Sequence, residues 1–585
     1  MKIFDPFRST GTVPVDRSAS KPDTSVQEAS QLIDEGNALE DAGQLEEAMQ
    51  RYEAALLLAP NLARAHLNRG NILSARGDMQ GALTAYSTAI KCNPDYAGAH
   101  YNLGNASVRL GHLEAAVDAY QNAIRLQPDY ADAEVALGGV LEDMGRYDDA
   151  VASYHRALQI KPDYAEAHNN LGNALTELGQ FDEAMASYHR ALQIKPDYAE
   201  AHVNLGNALK DLGQLDAAVA SYHRAQQVKP DFAEAHSNLG NALKELGQYD
   251  EAVASCRRAL EIKPDFVEAH ANLGIALLET GQYSEGWQEY EYRWEGGSPK
   301  QPRPPSPLPQ WTGQKLAHND RLLVFVEQGL GDMLQFARYL PLAAERFPGG
   351  VSVHVIGPML KLFRRSFPMI DVLDTLPADQ RAWQWQCPLL SLPLAFGTTL
   401  DTIPHKVPYL TPDPVRVTYW QNRIAALGLP ASTRKIGVVG KPGTLMKTAP
   451  QRALTLQTMA PLLNQPDCAW FSLQKEPDPE RAPWVASGKL IDWTDEFGDF
   501  NETASLAMNL DLIISVDTSV AHLAGGLGLP TWLLNRHASE WRWMRNREDS
   551  PWYPTMRIFT QRNAGDWDEV VSRMSTVLMV ELSPI

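Results

Sequence analysis

Cysteine is scarce in this sequence of 585 residues, which contains only Cys92, Cys256, Cys387 and Cys468. Because they lie far apart and form no CxxC pair, the sequence predicts neither a zinc site nor a disulfide framework. Basic residues are also in deficit: 52 lysines and arginines face 71 aspartates and glutamates, for a formal net charge of -19. This balance argues against a nucleic-acid backbone or an anionic membrane as the main partner. We therefore predict a protein of a reducing compartment with no nucleic-acid partner.

Long apolar runs are missing as well. The most apolar stretch, LDLIISVDTSVAHLAGGLGLPTWLL, is interrupted by Asp511, Asp517 and His522 before it is long enough to cross a bilayer. The first residues, MKIFDPFRSTGTVPVDRSASKPD, have no apolar segment of the kind that a signal peptide needs. These features predict a disordered leader over residues 1–28, no membrane span and a cytoplasmic location.

What the sequence does contain is a repeat of 34 residues. Prolines recur at this spacing from Pro60 to Pro264, and glycines do so from Gly43 to Gly281. A period of 34 is that of the tetratricopeptide (TPR) repeat, a pair of helices. Glycine permits the left-handed turn that ends the first helix, and proline ends the second. The sequence therefore predicts a multidomain protein whose residues 29–295 form an all-α TPR superhelical solenoid.

Two rows of asparagine follow the same period on the first helix of each repeat. The first row consists of Asn68, Asn102, Asn170, Asn204, Asn238 and Asn272, with Ala136 at the gap. The second row, three residues later, consists of Asn71, Asn105, Asn173, Asn207 and Asn241. Because first helices line the concave groove of a solenoid, these amides are candidates for binding the backbone of an acceptor protein or peptide. The alternative is hydrogen bonding within the repeats, and the two roles are compatible.

Histidine recurs too, at His66, His100, His168, His202, His236 and His270. Successive copies lie a whole repeat apart, which is too far for one metal ion, so we predict no metal site. The phrase AEAHSNLGNALKELG (233–247) resembles the TPR arrays of O-linked N-acetylglucosamine transferases. That resemblance implies an asparagine-lined groove that binds acceptor proteins.

The composition changes after the last repeat. The aromatic segment GWQEYEYRW (286–294) predicts a capping helix that docks on the next domain, and the proline density that follows predicts an extended linker over 296–316. From Arg321, apolar runs such as LLVFV, VSVHVIG, KIGVVG and LDLIISV alternate with helical patterns. This alternation predicts parallel sheets covered on both faces. We expect two Rossmann-like lobes, 317–425 and 433–585, with a cleft between them.

Open α/β sheets bind ligands beyond the carboxyl ends of their strands. After LLVFV, Gly329 and Gly331 let a substrate approach the backbone, and Asp332 is a candidate general base for an acceptor hydroxyl. The alternative role of Asp332 is to cap a helix.

A second candidate segment follows LDLIISV. Asp517, Thr518 and Ser519 would begin a helix whose backbone N–H groups suit the diphosphate of a nucleotide sugar, with His522 one turn further on. The alternative is a capping aspartate with a buried histidine.

Two more segments are candidates for the same cleft. In the loop after KIGVVG, the residues Gly440, Lys441, Lys447 and Arg452 would neutralise charge on a departing diphosphate, or else are solvated loop residues. In WRWMRNREDSPWYP (541–554), the aromatic side chains form either a stacking wall or part of a core.

Three of these segments carry a family resemblance: EQGLGDMLQFARYLPL, ISVDTSVAHLAGGLGLPTW and WRWMRNREDSPWYP. Together they resemble bacterial TPR proteins whose C-terminal half is similar to glycosyltransferase family 9, the ADP-heptose heptosyltransferases. The resemblance implies a GT-B fold, a nucleotide-sugar donor and metal-independent inverting transfer without a cofactor. By motif match, it makes Asp332 the base and places Asp517, Thr518, Ser519 and His522 at the donor diphosphate.

One segment departs from that family. Relatives carry W-[SA]-G-N-P followed by a histidine, whereas this chain reads VVGKPGTLMKTAPQRAL, with Lys441 in place of the asparagine. The leading interpretation is a glycosyltransferase whose TPR groove recruits a protein acceptor. The departure favours an alternative hypothesis, a non-catalytic TPR adaptor with a degenerate glycosyltransferase-like domain. A third hypothesis is transfer of the sugar to a glycan.

Overall fold

The structure, a computed structural model, describes residues 24–296, 306–327, 329–441, 453–476 and 478–582. Most of the predicted leader, much of the predicted linker, and both Lys447 and Arg452 lie outside these ranges. The described residues divide into two units, one ending at Pro230 and the other beginning at Asp231.

The first unit is a series of antiparallel helix pairs. The first helices are α1 (Thr24–Asp41), α3 (Ala63–Ala75), α5 (Ala97–Arg109), α7 (Ala131–Asp143), α9 (Ala165–Glu177) and α11 (Ala199–Asp211). Their partners are α2 (Leu45–Leu58), α4 (Met79–Cys92), α6 (Leu113–Leu126), α8 (Tyr147–Ile160), α10 (Phe181–Ile194) and α12 (Leu215–Val228). The predicted TPR-like array is confirmed for this region.

Two kinds of glycine shape each pair. From Gly43 to Gly213, the glycine of the turn has a φ of 72 to 84°, which side chains with a Cβ rarely adopt. A second glycine, in the middle of the first helix, lies under the tyrosine of the second helix. A Cβ added at Gly104, for instance, would come within 2.5 Å of the Tyr120 ring. The bare backbone therefore provides the space into which the buried tyrosine packs.

The periodic histidines close the loops between repeats. The Nε2–H of His66 donates to the carbonyl oxygen of Pro60 at 2.8 Å, and the same bond joins His168 to Pro162 at 3.0 Å. The histidine therefore has a structural role within each loop. In the repeat that begins at Ala131, Glu134 stands at this position and instead pairs with Arg156 at 2.8 Å.

The second unit begins with the last helix pairs and continues into α/β structure. The helices of the repeats and their extension are α13 (Ala233–Glu245), α14 (Tyr249–Ile262), α15 (Val267–Glu279), α16 (Tyr283–Tyr290) and α17 (Arg293–Gly296). The strands are β1 (Leu322–Phe325), β2 (Val351–His354), β3 (Asp371–Leu373), β4 (Trp385–Pro388), β5 (Arg434–Val439), β6 (Cys468–Ser472), β7 (Leu512–Val516), β8 (Thr531–Asn535) and β9 (Met556–Thr560). The remaining helices are α18 (Leu330–Phe336), α19 (Leu340–Arg346), α20 (Leu360–Ser366), α21 (Leu392–Ala395), α22 (Pro414–Ala425), α23 (Ala460–Leu463), α24 (Ala482–Ala486), α25 (Phe500–Ala507), α26 (Ser519–Gly526) and α27 (Trp567–Leu582).

In the described part of the chain these strands form two parallel sheets, with the orders β3-β2-β1-β4 and β6-β5-β7-β8-β9. In the first sheet Leu322 is paired with both Val351 and Trp385, and in the second Ile436 is paired with Leu512. The central strands β1 and β7 are buried along their whole length, as their continuous apolar sequences require. The predicted parallel α/β structure is confirmed.

The aromatic helix α16 joins the end of the repeats to the first sheet. Trp287 is buried, and its Nε1–H donates to the carbonyl oxygen of Thr398 at 3.0 Å. Its ring meets Trp541 edge to face, with 5.4 Å between centroids. Trp287 and Trp541 belong to the same hydrophobic core as the strands of the first sheet. Among the described residues, no helix is long and apolar enough to cross a membrane.

Candidate functional site

The two candidate motifs meet where one strand of each sheet ends. Gly329 and α18 follow β1, and Asp517 and α26 follow β7, so both helices begin at the carboxyl ends of central strands. The helices pack directly against each other. A Cβ at Gly331 would lie 2.8 Å from Cδ2 of His522, so glycine at this position allows the close approach.

Asp332 is both a cap and an ion-pair partner. Its Oδ2 accepts the backbone N–H of Gly329 at 3.2 Å, and its Oδ1 pairs with the Arg542 guanidinium. Arg542 also donates to Gln335 at 2.9 Å and to Glu540 at 3.0 Å. Burial raises the pKa of Asp332, while Arg542 opposes that shift. The ion pair with Arg542 therefore engages one carboxylate oxygen of Asp332, and the capping bond engages the other.

His522 is a neutral, packed imidazole. It is 4% exposed, stacks on Trp543 with centroids 4.9 Å apart, and has Nδ1 2.9 Å from the hydroxyl of Tyr553. Burial, with the nearby Arg542 charge, lowers its pKa to about 3. It therefore supplies no positive charge for a diphosphate at neutral pH, and the arrangement corresponds to the buried-histidine alternative.

The start of α26 presents hydroxyl groups at the edge of the second sheet. Thr518 has the extended conformation of an N-cap residue, and its Oγ1 lies 3.0 Å from the hydroxyl of Ser515. Ser519 is the first residue of the helix, and the carboxylate of Asp517 lies 4.0 Å from Nε2 of His522. Arg536, which directly follows the neighbouring strand β8, lies at the same edge.

Gly440 and Lys441 follow β5, the other neighbour of β7, and so lie at this edge too. The ammonium group of Lys441 is 3.0 Å from Asp478 and 3.3 Å from Glu480. Two carboxylates of the chain therefore already balance the charge that was predicted to face a diphosphate.

The loop at Glu327, which opens the first motif, is held by a residue from the end of the repeats. Arg293 of α17 binds both carboxylate oxygens of Glu327 at 2.8 to 3.0 Å, and the backbone N–H of Leu390 donates to the same carboxylate at 2.9 Å. Burial raises the pKa of Glu327 to about 7 against the opposing charge of Arg293. Arg293 therefore fixes the position of the loop that leads to Gly329.

The asparagine rows form hydrogen bonds within the array. Nδ2 of Asn102 donates to Oδ1 of Asn71 at 2.9 Å, and the Tyr86 hydroxyl donates to the same oxygen at 3.0 Å. Nδ2 of Asn204 donates to Asn169 at 3.0 Å. Further contacts of the first row involve Asn68 with Asn37, Asn170 with Asn169, and Asn272 with Lys244. Asn238 interacts within the chain as well. The bond from Tyr86 to Asn71 lies within one repeat, as the alternative expects, whereas most bonds of the first row join successive repeats.

Several residues of this site were not predicted. The charged residues that were missed are Arg293, Arg536, Glu540 and Arg542. They lie in segments whose sequences stand out by their aromatic residues or apolar runs, so their charges did not attract a prediction. The aromatic residues of 541–554 take the core alternative, since Trp541, Trp543, Trp552 and Tyr553 are buried. Among the described residues, no group of three His, Cys, Asp or Glu side chains is placed to hold a metal ion.

Comparison with known proteins identifies the repeats. A family model of the C-terminal domain of cilia and flagella-associated protein 70 matches residues 17–237, and a TPR-repeat model matches residues 240–281. Protein FlbA of Caulobacter vibrioides is 28% identical over 316 residues, which are 50% of this chain and 52% of FlbA. The match thus spans about half the length of that curated relative.

Solved TPR structures are also similar. YrrB, described as a TPR protein with an unusual peptide-binding site, is 25% identical with a TM-score of 0.28, over 32% of this chain and 95% of YrrB. A MamA protein is 29% identical with a TM-score of 0.28, over 30% of this chain and 95% of MamA. Period, helix pairs and the two family models together establish that the N-terminal region of this chain carries TPR repeats.

Proposed function

We propose that the TPR array binds an extended segment of a partner protein and that the chain acts as an adaptor. In the first unit, the first helices of successive repeats lie close to one another, whereas the second helices are farther apart. Such an arrangement gives a concave face made of first helices, which is the face that carries both asparagine rows.

The orientation of the second-row amides supports this proposal. Oδ1 of Asn71 accepts two hydrogen bonds from the array, and Oδ1 of Asn173 accepts the Tyr188 hydroxyl at 2.8 Å. In Asn71 and Asn173 the oxygen is thereby committed to the fold, and among the described residues the two N–H donors of these two amides are left for a ligand. An extended peptide exposes carbonyl oxygens along its length, which need such donors. This commitment of the oxygens is the observation that carries the adaptor proposal.

Exchanging amide for carboxylate at these positions tests the idea. Asn71→Asp and Asn173→Asp keep an acceptor for the tyrosine hydroxyl but remove the donors, so we expect the double variant to lose at least about tenfold in peptide affinity. Asn122→Asp, the same change on the exposed side of α6, serves as the control. Peptides selected from a random phage-displayed library against the full chain provide the probe, and their dissociation constants are measured by fluorescence anisotropy. Equal affinity of the double variant and the control would exclude the asparagine rows as the binding surface.

A second candidate is glycosyl transfer at the junction of α18 and α26, and the observation that favours it is the meeting of the two motifs there. A GT-B-like pair of lobes would place a nucleotide-sugar donor at the start of α26, where Thr518 and Ser519 offer hydroxyl and N–H donors. Asp332 would accept the proton of the acceptor hydroxyl. Gly329 leaves the backbone accessible beside it, whereas Gly331 is packed against His522, and no metal or cofactor is needed.

This candidate is tested with nucleotide-diphosphate sugars of different bases and sugars. We expect Asp332→Asn to abolish release of the nucleotide diphosphate while leaving thermal stabilisation by the donor unchanged. Asp379→Asn is the control, because among the described residues this exposed carboxylate forms its ion pair with Arg381 alone. If no donor stabilises the wild-type chain and none is turned over, the α/β region has no transferase role and the adaptor alone stands.

A further inference from the structure

The repeat that begins at Ala131 differs from its neighbours at the positions that line the groove. Ala136 and Gly139 stand where the two asparagine rows would continue. In the repeats of Tyr120 and Tyr222, the tyrosine hydroxyl donates to a second-row asparagine, at 2.7 Å for Asn105 and 2.8 Å for Asn207. In the first repeat, Tyr52 donates to the carboxylate of Glu40 at 2.8 Å as well as to Asn37. In the repeat that begins at Ala131, the Tyr154 hydroxyl donates to the carboxylate of Glu142 instead. In this repeat, a carboxylate thus replaces the amide of the second asparagine row as the acceptor of the tyrosine hydroxyl.

The absence of a side chain at Gly139 also leaves room near Tyr154. A Cβ at Gly139 would meet nothing nearer than the Tyr154 hydroxyl, at 4.0 Å, whereas at the adjacent Gly138 it would lie within 2.5 Å of the Tyr154 ring. Gly138 is therefore required by packing, but Gly139 is not. The positions of the two missing amides, Ala136 and Gly139, carry no side chain larger than a methyl group, and they are called the gap below.

The carboxylate beside the gap has no cationic partner. Among the residues that the structure describes, no lysine, arginine or histidine forms an ion pair with Glu142, Asp143 or Glu177. Burial raises the pKa of Glu142, and the charges of Asp143 and Glu177 raise it further. A half-buried carboxylate surrounded by like charge favours the arrival of a cation.

We propose that the gap at Ala136 and Gly139 receives a lysine or arginine side chain of the bound polypeptide, with Glu142 as its ion-pair partner. This inference rests on the proposed adaptor function and adds a sequence preference to it. The amides of the neighbouring repeats would bind the backbone of any extended peptide. The carboxylate would bind one basic side chain, because a charge-assisted hydrogen bond in a partly buried groove is stronger than a neutral one.

The test uses the full chain and the phage-displayed library described above. We expect peptides selected by the wild type to be enriched in lysine or arginine at one position, and replacing that residue by glutamine to weaken binding about tenfold. Glu142→Gln retains an acceptor for Tyr154 and should cause the same loss, with no further loss when the peptide carries glutamine. Gly139→Asn fills the gap with an amide and should also weaken the basic peptide. Glu114→Gln, the same charge change on an exposed turn of α6, should leave the affinity unchanged.

The possible outcomes distinguish failure of this inference from failure of the proposed adaptor function. Selected peptides without a basic preference, or a Glu142→Gln variant that binds them as the wild type does, would overturn the basic-residue site while the asparagine rows keep their role. Selected peptides that ignore the Asn71→Asp and Asn173→Asp exchanges would overturn the adaptor proposal and this inference together. Circular dichroism of each variant establishes that the helices are intact.

Discussion

The repeat array of the first unit and the α/β region of the second are stabilised by contacts of different range. In the array, a bond such as that from Tyr86 to Asn71 spans 15 residues and is repeated at regular intervals. In the α/β region, the pair of Arg542 and Asp332 spans 210 residues and occurs once. Contacts of the first kind can be recognised in the sequence, because the residues that form them recur at a fixed period. Contacts of the second kind produce no such periodic pattern. Loss of a side chain should therefore have local consequences in the array and extended ones in the α/β region.

The largest effect is expected where the last repeat enters the α/β core. Trp287→Ala removes a buried indole and its hydrogen bond, and should lower the free energy of unfolding of the second unit by about 3–5 kcal/mol. Tyr120→Ala in the array is the matched change of a buried ring. Hydrogen exchange should show faster exchange throughout both sheets for the first variant, but only in α5 to α7 for the second. Equally local effects would contradict the distinction between the two regions.

A smaller effect is expected at the buried ion pair. Arg542→Ala leaves Asp332 buried without its partner, so we expect a loss of about 3 kcal/mol in urea denaturation. Arg381→Ala breaks an exposed pair with Asp379 and should cost less than about 1 kcal/mol. If the two variants were equally stable, the charges around Asp332 would not contribute to the junction of α18 and α26.

The smallest effect depends on pH and concerns Glu279 of α15. Its side chain is almost fully buried, and burial raises its pKa to about 8. Glu540 adds to this shift, while Arg536 and Arg545 oppose it. In the unfolded chain the group ionises near its ordinary value of 4.5. Stability is therefore unaffected below that pH, falls as the pH rises towards 8, and then levels off.

Glu279→Gln removes this titration. The variant should show a flatter profile between pH 5 and pH 8, and a gain of about 2 kcal/mol or more in the free energy of unfolding at pH 8. Glu261→Gln, an exposed change on α14, is the control and should keep the wild-type slope. A slope that survives in the Glu279→Gln variant would assign the pH dependence to other groups.

The array was predictable because one local rule is repeated. The period gave the helix pairs, and the glycine positions gave the turns, since Gly77 has a φ of 84° that other residues rarely adopt. What remained open was the role of the asparagines. Their hydrogen bonds join residues about one repeat apart, such as Asn102 and Asn71, and the choice of oxygen as acceptor follows from the tyrosine packing. The period is also unchanged at Pro230, so the sequence contains no sign of the division between the two units.

The α/β site was only partly predictable. Its motifs follow apolar strands, and the parallel topology places the helices that carry Asp332 and His522 side by side. The sequence did not show that Arg542 would hold Asp332, because that pairing depends on the path of a distant loop. Nor did it show that His522 would be neutral, since its pKa depends on burial by Trp543 and Tyr553. The roles of Lys447 and Arg452 stay predictions, because both lie outside the described residues.

The packing of Trp287 has a practical consequence for dividing this protein into fragments. A fragment that started after the proline-rich segment would lose α16, and the rings of Phe336, Trp541 and Trp552 that now meet Trp287 would face water. Contiguous exposed aromatic surface of this kind promotes aggregation. A cut near Pro230 retains those helices, so soluble expression of the α/β region requires the last repeats to be included with it.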